Sequence, residues 1–358
     1  MNASSPDAHT ASVQVFDGPK RPFRSERWPL PERLGAGQVL VAIELATICG
    51  SDLHTCLGRR NQSVPAILGH EAVGRVVATG SGRDLEAGAR ITWSIADSCG
   101  TCPACTRDHL PQKCHRLFKY GHADTSDGTG LNGCYASHIL LREGTHIVPV
   151  PDEIPNEVIA PANCALATMI NAVSHLPENC RSVVIQGAGL LGLYGCALLQ
   201  ERGIQTVYCV DVNPARLRRI PEFGGIPING RDPDYLQTIV TETGHGVDAV
   251  VETAGTVEVV PDGFDLLRTG GTYVLVGLVH PRSQLDVTAE RIIRQCLTIH
   301  GIHNYAPAHL DEAVMFLLRS RGSYPFETLL SEPYPLEKLQ EAVAEADTGT
   351  WHRVALRP

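Results

Sequence analysis

Val183-Val184-Ile185-Gln186-Gly187-Ala188-Gly189-Leu190-Leu191-Gly192 is the stretch whose reading decides the fold. A short run rich in β-branched apolar residues reads as a buried strand, and it feeds three glycines in G-x-G-x-x-G spacing. Leu190 to Glu201 then reads as an apolar helix, and Thr206 to Val210 as the next strand. Asp211 stands at the end of that strand, 24 residues after Gly187. Glycines in such a turn let backbone amides and the helix N-terminus approach a pyrophosphate, while the acid accepts hydrogen bonds from ribose hydroxyls. The expected coenzyme contacts are therefore Gly187, Gly189, Leu190, Leu191, Gly192 and Asp211. An acid there repels a 2′-phosphate, which favours NAD over NADP; Arg216 and Arg218 keep the NADP alternative open.

Outward from this stretch the alternation continues. Ala215 to Glu222 reads as a helix, and Val247 to Val251 and Thr272 to Val276 as strands, so the region is a parallel, doubly wound α/β sheet. Before it, Val39 to Leu45, Ala72 to Ala78 and Ala89 to Ile95 read as short strands broken by Gly and Pro. These imply a partly barrel-like, mostly-β region up to about residue 150. A helix at Leu310 to Arg319 and a last strand at Arg353 to Leu356 follow the sheet. At 358 residues the chain is too long for one ordinary core, which implies two domains.

Composition removes several classes of function. Apolar residues make up 43% and charged residues 19%, as in soluble globular proteins, and no run is apolar enough for a membrane span. Met1 to Ala11 is polar, lacks a secretory signal and reads as a frayed tail, so the expected location is the cytoplasm. A net charge of −9 argues against nucleic acid as the main partner, though not against a small anionic substrate. The 12 cysteines do not read as disulfides, because several recur at metal-ligand spacing and others sit singly in apolar segments.

Cys49, His70 and Cys164 supply two thiolates and one imidazole, the set a catalytic zinc needs if a fourth position is to stay open. Their wide separation suits a site assembled by the fold. Glu71 has two readings, as a direct ligand or as a group acting from behind the ligands. Asp52 is placed to orient the ligating histidine. Cys99, Cys102, Cys105 and Cys114 offer four thiolates at short spacing, which suits a closed tetrahedral structural zinc that braces a loop.

Thr47-Ile48-Cys49-Gly50-Ser51-Asp52-Leu53-His54 and Ile67-Leu68-Gly69-His70-Glu71-Ala72-Val73-Gly74 resemble the zinc-dependent medium-chain alcohol dehydrogenase family, and the resemblance covers essentially the whole chain. It implies a GroES-like, mostly-β catalytic domain over residues 1–160, with the structural-zinc lobe at 97–116, completed by residues 301–358. Residues 161–300 would form the NAD-binding Rossmann domain. By the same resemblance Ser51 takes the substrate's proton, His54 relays it towards solvent, and Cys164 is the third zinc ligand, where some relatives use a Glu. Arg353 matches a position that contacts the coenzyme's pyrophosphate in some relatives. The lobe has one residue more before its last cysteine than the family pattern, at Asp108-His109. The resemblance further implies a homodimer or homotetramer, with Thr272 to Val279 as a candidate interface edge.

The implied reaction is hydride transfer between an alcohol and NAD, giving an aldehyde or ketone. Leu57-Gly58-Arg59-Arg60, Thr92-Trp93-Ser94-Ile95, Leu110 to His122 and Pro161 to Ala165 together resemble a clade of these dehydrogenases associated with phosphonate metabolism. Arg59, Arg60 and Lys119 can supply a forked cation and a point charge for a phosphonate. A polyol, sugar or biosynthetic secondary alcohol on the same scaffold is the rival substrate. A non-catalytic zinc- and nucleotide-binding protein is the rival class.

Overall fold

Residues 9–127 and 130–358 are described by the computed structural model, which divides into two compact units. Of the described residues, the first comprises 9–127, 130–164, 306–321 and 326–358, and the second 165–305 and 322–325.

The second unit is built on a six-stranded sheet, all parallel, ordered Ile226–Asn229, Thr206–Asp211, Ser182–Gln186, Val247–Glu252, Leu267–Leu275, Thr298–Gly301. In chain order this is 3-2-1-4-5-6, the doubly wound arrangement whose order reverses at the first strand. The glycine turn leaves that strand, so the turn lies at the reversal point. Central strands buried on both faces must be continuously apolar; Val183, Val184, Ile185, Val250 and Val251 are all fully buried. The helix Leu190–Glu201 begins and ends where the sequence places it.

Two expectations for this unit change. The strand Leu267–Leu275 is hydrogen-bonded on both sides, so Thr272 to Val279 is not an edge; the edge strands are Ile226–Asn229 and Thr298–Gly301. Nor does Ala215 to Glu222 form one helix. A single turn, Pro214–Leu217, is followed by a tighter turn, Ile220–Phe223. Pro221 lacks the amide a continuing helix needs and crowds the preceding turn.

The first unit is antiparallel apart from a short parallel pair at its edge. Its main sheet runs Tyr334–Pro335, Val354–Arg357, Val39–Ile48, Glu71–Thr79, Arg90–Asp97, Phe118–Lys119, with His138–Leu141 and Thr145–Pro149 as further partners. A smaller sheet, Arg24–Pro29, Thr10–Phe16, Ala66–Ile67, closes the same core. Of the tail expected to fray over Met1 to Ala11, residues 1–8 lie outside the described residues, while Ala11, like Val13, is fully buried on one face of the strand from Thr10. Among the described residues no helix is long and apolar enough to cross a membrane.

Register positions the site. Ile48 pairs with Val354 and Thr47 with Glu71, so the end of one strand, the start of a second and the start of the C-terminal strand meet. Cys49, His70, Glu71 and Arg353 flank that junction.

Candidate active site

Gly69 sets the direction of His70. Its backbone lies at φ +88°, and a Cβ there would come within 2.5 Å of the Tyr135 ring, so only glycine fits. The chain then enters the strand with His70 and Glu71 both buried. Cys49 precedes the short helix Gly50–Cys56, and Cys164 lies in the irregular turn Ala162–Leu166. One ligand atom from each of Cys49, His70, Glu71 and Cys164 lies within 4.8 Å of the others.

The donor set fits zinc. Two sulfurs, one imidazole and one carboxylate converge, and the cysteines are free. Electrostatics point the same way. Hydrogen bonding from Cys164, with Arg353 and His70 nearby, holds the Cys49 thiol well below its ordinary value despite burial. Cys164 is pushed well up by that same bond and by burial. Burial opposes a charged His70, but Asp52 and Cys49 outweigh it and raise its pKa to about 10. Glu71 is pushed up to about 7 by burial, against the pull of Arg353.

The supporting contacts are specific. Asp52 Oδ1 lies 3.2 Å from His70 Nδ1. Its Oδ2 accepts from the Cys49 amide at 3.0 Å and from the Tyr135 hydroxyl at 3.0 Å. A carboxylate on one imidazole nitrogen fixes the tautomer and leaves the other free to ligate. Asn163 Nδ2 donates to the carbonyls of His70 at 3.1 Å and Trp93 at 2.9 Å, tying the segment that carries Cys164 to the histidine. Ser51 and His54 sit one turn apart on the helix that follows Cys49, Ser51 half-buried and His54 exposed.

Arg353, expected at the coenzyme's pyrophosphate, has its guanidinium buried against Glu71, with Nη2 3.6 Å from Cys49 Sγ and Nη1 donating to the His352 carbonyl. The physical reason is the pairing of Val354 with Ile48, which draws the neighbouring arginine onto a buried carboxylate.

The four cysteines of the lobe also converge within 4.8 Å. Backbone amides point at the sulfurs: Cys99 to Cys114 at 3.2 Å, Cys102 to Cys99 at 3.4 Å and Arg116 to Cys114 at 3.3 Å. Amides and the Thr101 hydroxyl lower the Cys99 thiol to about 4, whereas burial raises Cys105 to about 12. Such a mixed, crowded set is what a cation would equalise. In the stretch Asp108-His109, His109 takes a left-handed backbone conformation, φ +54°.

In the second unit a Cβ on Gly192 would stand 2.1 Å from the Gly187 carbonyl, so helix and turn pack too closely for any side chain. Gly189 caps the helix without a side-chain hydrogen bond, leaving first-turn amides open to an anion. Asp211 accepts from the Ala188 amide at 2.7 Å and the Asn213 amide at 2.8 Å, fixing the acid beside the turn.

Of the proposed substrate cations, Arg59 and Arg60 are exposed and Lys119 is half-buried. Burial lowers the Lys119 ammonium, Cys164 opposes the fall, and Arg60 adds to it. The sequence reading assigned no role to His122. Its ring lies 5.0 Å from that of His70, centroid to centroid, and neither ring nitrogen has a hydrogen-bond partner. Burial, with His70, Lys119 and Arg60 close by, holds its pKa well below the ordinary value. Tyr135 and Thr47 were likewise without an assigned role. Thr47 Oγ1 donates to Glu71 Oε2 at 2.6 Å, and the pairing of Thr47 with Glu71 has no signature in sequence.

Comparison with known proteins agrees with this arrangement. Residues 35–152 match the alcohol dehydrogenase GroES-like domain, and residues 191–319 match the zinc-binding dehydrogenase model. A "Probable zinc-binding alcohol dehydrogenase" of Mycobacterium tuberculosis is 30% identical, over 96% of this chain and 88% of that protein. A 5-exo-hydroxycamphor dehydrogenase of Pseudomonas putida is 28% identical, over 91% and 93%. The crystal structure of an alcohol dehydrogenase from Thermotoga maritima superposes with a TM-score of 0.92 at 30% identity, covering 98% of this chain and 99% of that one. The chain belongs to the zinc-dependent alcohol dehydrogenase family and is an oxidoreductase acting on CH–OH groups.

Proposed function

We propose that this enzyme uses zinc and NAD to interconvert a small anionic alcohol, of the hydroxyalkylphosphonate type, with its aldehyde or ketone. The observation that carries the reading is the convergence of Cys49, His70, Glu71 and Cys164 in one buried cluster. When bound there, zinc supplies a Lewis acid for the substrate oxygen, and NAD supplies the hydride acceptor.

The chain's own residues do the rest. Ser51 Oγ accepts the hydroxyl proton as it gives up its own towards the His54 imidazole, one turn on at the surface, which passes a proton to solvent. Asp52 holds the His70 ring in the tautomer that faces the cluster. Arg353 anchors Glu71 and lends positive charge beside the Cys49 sulfur, which restrains how much charge the site accumulates. Cys99, Cys102, Cys105 and Cys114 hold a second zinc that braces the lobe. First-turn amides at Leu190 and Leu191 would hold the pyrophosphate, and the fixed carboxylate of Asp211 favours NAD over NADP. Arg59, Arg60 and Lys119 provide cationic charge for the phosphonate.

The test is a substrate panel of hydroxyalkylphosphonates, simple polyols and neutral alcohols with zinc-loaded enzyme and NAD, read in the reduced-nicotinamide absorbance band. Turnover should be most efficient with the phosphonates, and replacing Arg59 and Arg60 together with Ala should weaken their binding. No reduced coenzyme with any alcohol would refute the reading; a preference for polyols would refute only the substrate.

A further inference from the structure

Glu252 is a buried acid without a counter-ion. It ends the strand Val247–Glu252, is fully buried, and among the described residues no cation pairs with it. Burial raises its pKa above the ordinary carboxylate value, against the pull of backbone amides. An acid kept inside the protein is costly unless hydrogen bonds satisfy it, so its contacts tell what it is kept for.

Those contacts join two loops. The Gly255 amide donates to Oε1 at 2.5 Å and the Gly277 amide to Oε2 at 2.9 Å. Gly255 lies just past the strand Val247–Glu252, and Gly277 just past its neighbour Leu267–Leu275. The loops also touch directly: a Cβ on Gly277 would stand 2.6 Å from the Gly255 nitrogen. The first loop in turn rests on the glycine turn. Thr253 Oγ1 donates to the carbonyls of Gln186 at 2.9 Å and Gly187 at 3.2 Å, and a Cβ on Gly187 would come within 2.9 Å of the Ala254 nitrogen.

Position in the sheet gives these contacts a meaning. A dinucleotide lies across the carboxyl ends of a doubly wound sheet, one mononucleotide on each half. The glycine turn and Asp211 belong to the half formed by Ser182–Gln186, Thr206–Asp211 and Ile226–Asn229. Both loops held by Glu252 lie at the carboxyl ends of the other half, which is left for the nicotinamide mononucleotide. Only a side chain with two acceptor oxygens can hold one amide from each loop.

We propose that Glu252 is a positioning residue for hydride transfer: by clamping the loops at 253–255 and 276–277 to each other, it fixes the surface on which the nicotinamide half of the coenzyme lies. Glu252 itself touches neither coenzyme nor substrate; it acts through the loop backbones. The proposal rests on the NAD reading above and adds to it the group that orients the reacting ring.

The test compares NADH with ADP-ribose, which lacks only the nicotinamide ring, by calorimetry on the zinc-loaded protein. Glu252→Gln keeps the shape but turns one oxygen into a donor, so one loop amide loses its acceptor. It should weaken NADH about tenfold and leave ADP-ribose within about twofold. KM for NAD should rise by a similar factor, with KM for the alcohol within about twofold. Thr253→Val keeps the volume but cuts the tie to the glycine turn, and should give the same split at about threefold. Tyr273→Phe is the control. It removes a buried hydroxyl that donates to Gln186 Oε1 at 2.7 Å in the same sheet, and should lower the thermal midpoint without producing the split.

NADH and ADP-ribose weakened equally in Glu252→Gln and Thr253→Val would mean that the clamp only stabilises the fold, and would overturn the proposal. A split of the same size in Tyr273→Phe would do the same. Wild-type protein that binds neither NADH nor ADP-ribose would take down the coenzyme reading and the proposal together. Tight NADH binding without the split leaves that reading intact and removes only the role of Glu252.

Discussion

The Arg353 guanidinium clasps the Glu71 carboxylate with two hydrogen bonds, Nε to Oε2 at 2.8 Å and Nη2 to Oε1 at 3.0 Å. The residues are 282 positions apart, and both are buried. Breaking one side of such a pair leaves an uncompensated charge in the interior. Arg353→Met and Glu71→Gln should therefore each cost about 3–5 kcal/mol, while the double variant should cost much less than their sum. A double-mutant cycle in urea measures the coupling. Additive losses would mean that the two side chains do not interact.

Cys49→Ala should remove one zinc per chain and abolish turnover, because the remaining donors no longer enclose the cation. Metal analysis of the purified variant gives the first result and the coenzyme assay the second. Undiminished activity would refute the ligand assignment.

Cys105→Ser addresses the other cluster. Loss of one zinc should expose residues 99–116 to proteolysis and lower the thermal midpoint, with a much smaller effect on kcat than Cys49→Ala has. A kcat loss as large as that of Cys49→Ala would contradict a purely bracing role.

Asp211→Asn keeps a side chain of the same shape beside Ala188 but removes the charge that disfavours a 2′-phosphate. The ratio of NAD to NADP efficiency should fall by about tenfold, equivalent to about 1.4 kcal/mol. Coenzyme kinetics with both nicotinamides decide it, and an unchanged ratio would remove Asp211 from coenzyme selection.

Asp248 offers a pH-dependent test of the second unit. Burial raises its carboxyl, but the amides of Arg181 at 2.7 Å and Ser182 at 3.0 Å, with Arg268 Nε at 2.6 Å, outweigh it and hold the pKa below 3.8. A depressed folded-state value contributes stability above the unfolded pKa, lost as pH falls through the folded one. Asp248→Asn should thus be less stable than wild type at neutral pH, and the gap should close below about pH 4. Denaturation midpoints across that range measure it; a constant gap would mean that the charge contributes nothing.

Much of this was legible in the chain because local chemistry leaves local marks. The glycine turn, the helix Leu190–Glu201 and the alternation of strands and helices specify the doubly wound sheet without long-range information. Cysteine spacing likewise marks the lobe, and the words around Cys49 and His70 mark the metal cluster. Pro221 shows the limit: apolar patterning suggested one helix, but a missing amide divides it.

What the sequence by itself determined, then, was which residues are candidates to hold metal and coenzyme, since that follows from side-chain chemistry and short spacing. What only the tertiary structure decided was which distant groups meet: Arg353 on Glu71, Tyr135 on Asp52, Asn163 on His70, and His122 on His70. Those meetings depend on strand register and on the burial of charge. Both arise from the packing of the whole unit, and neither has a local signature.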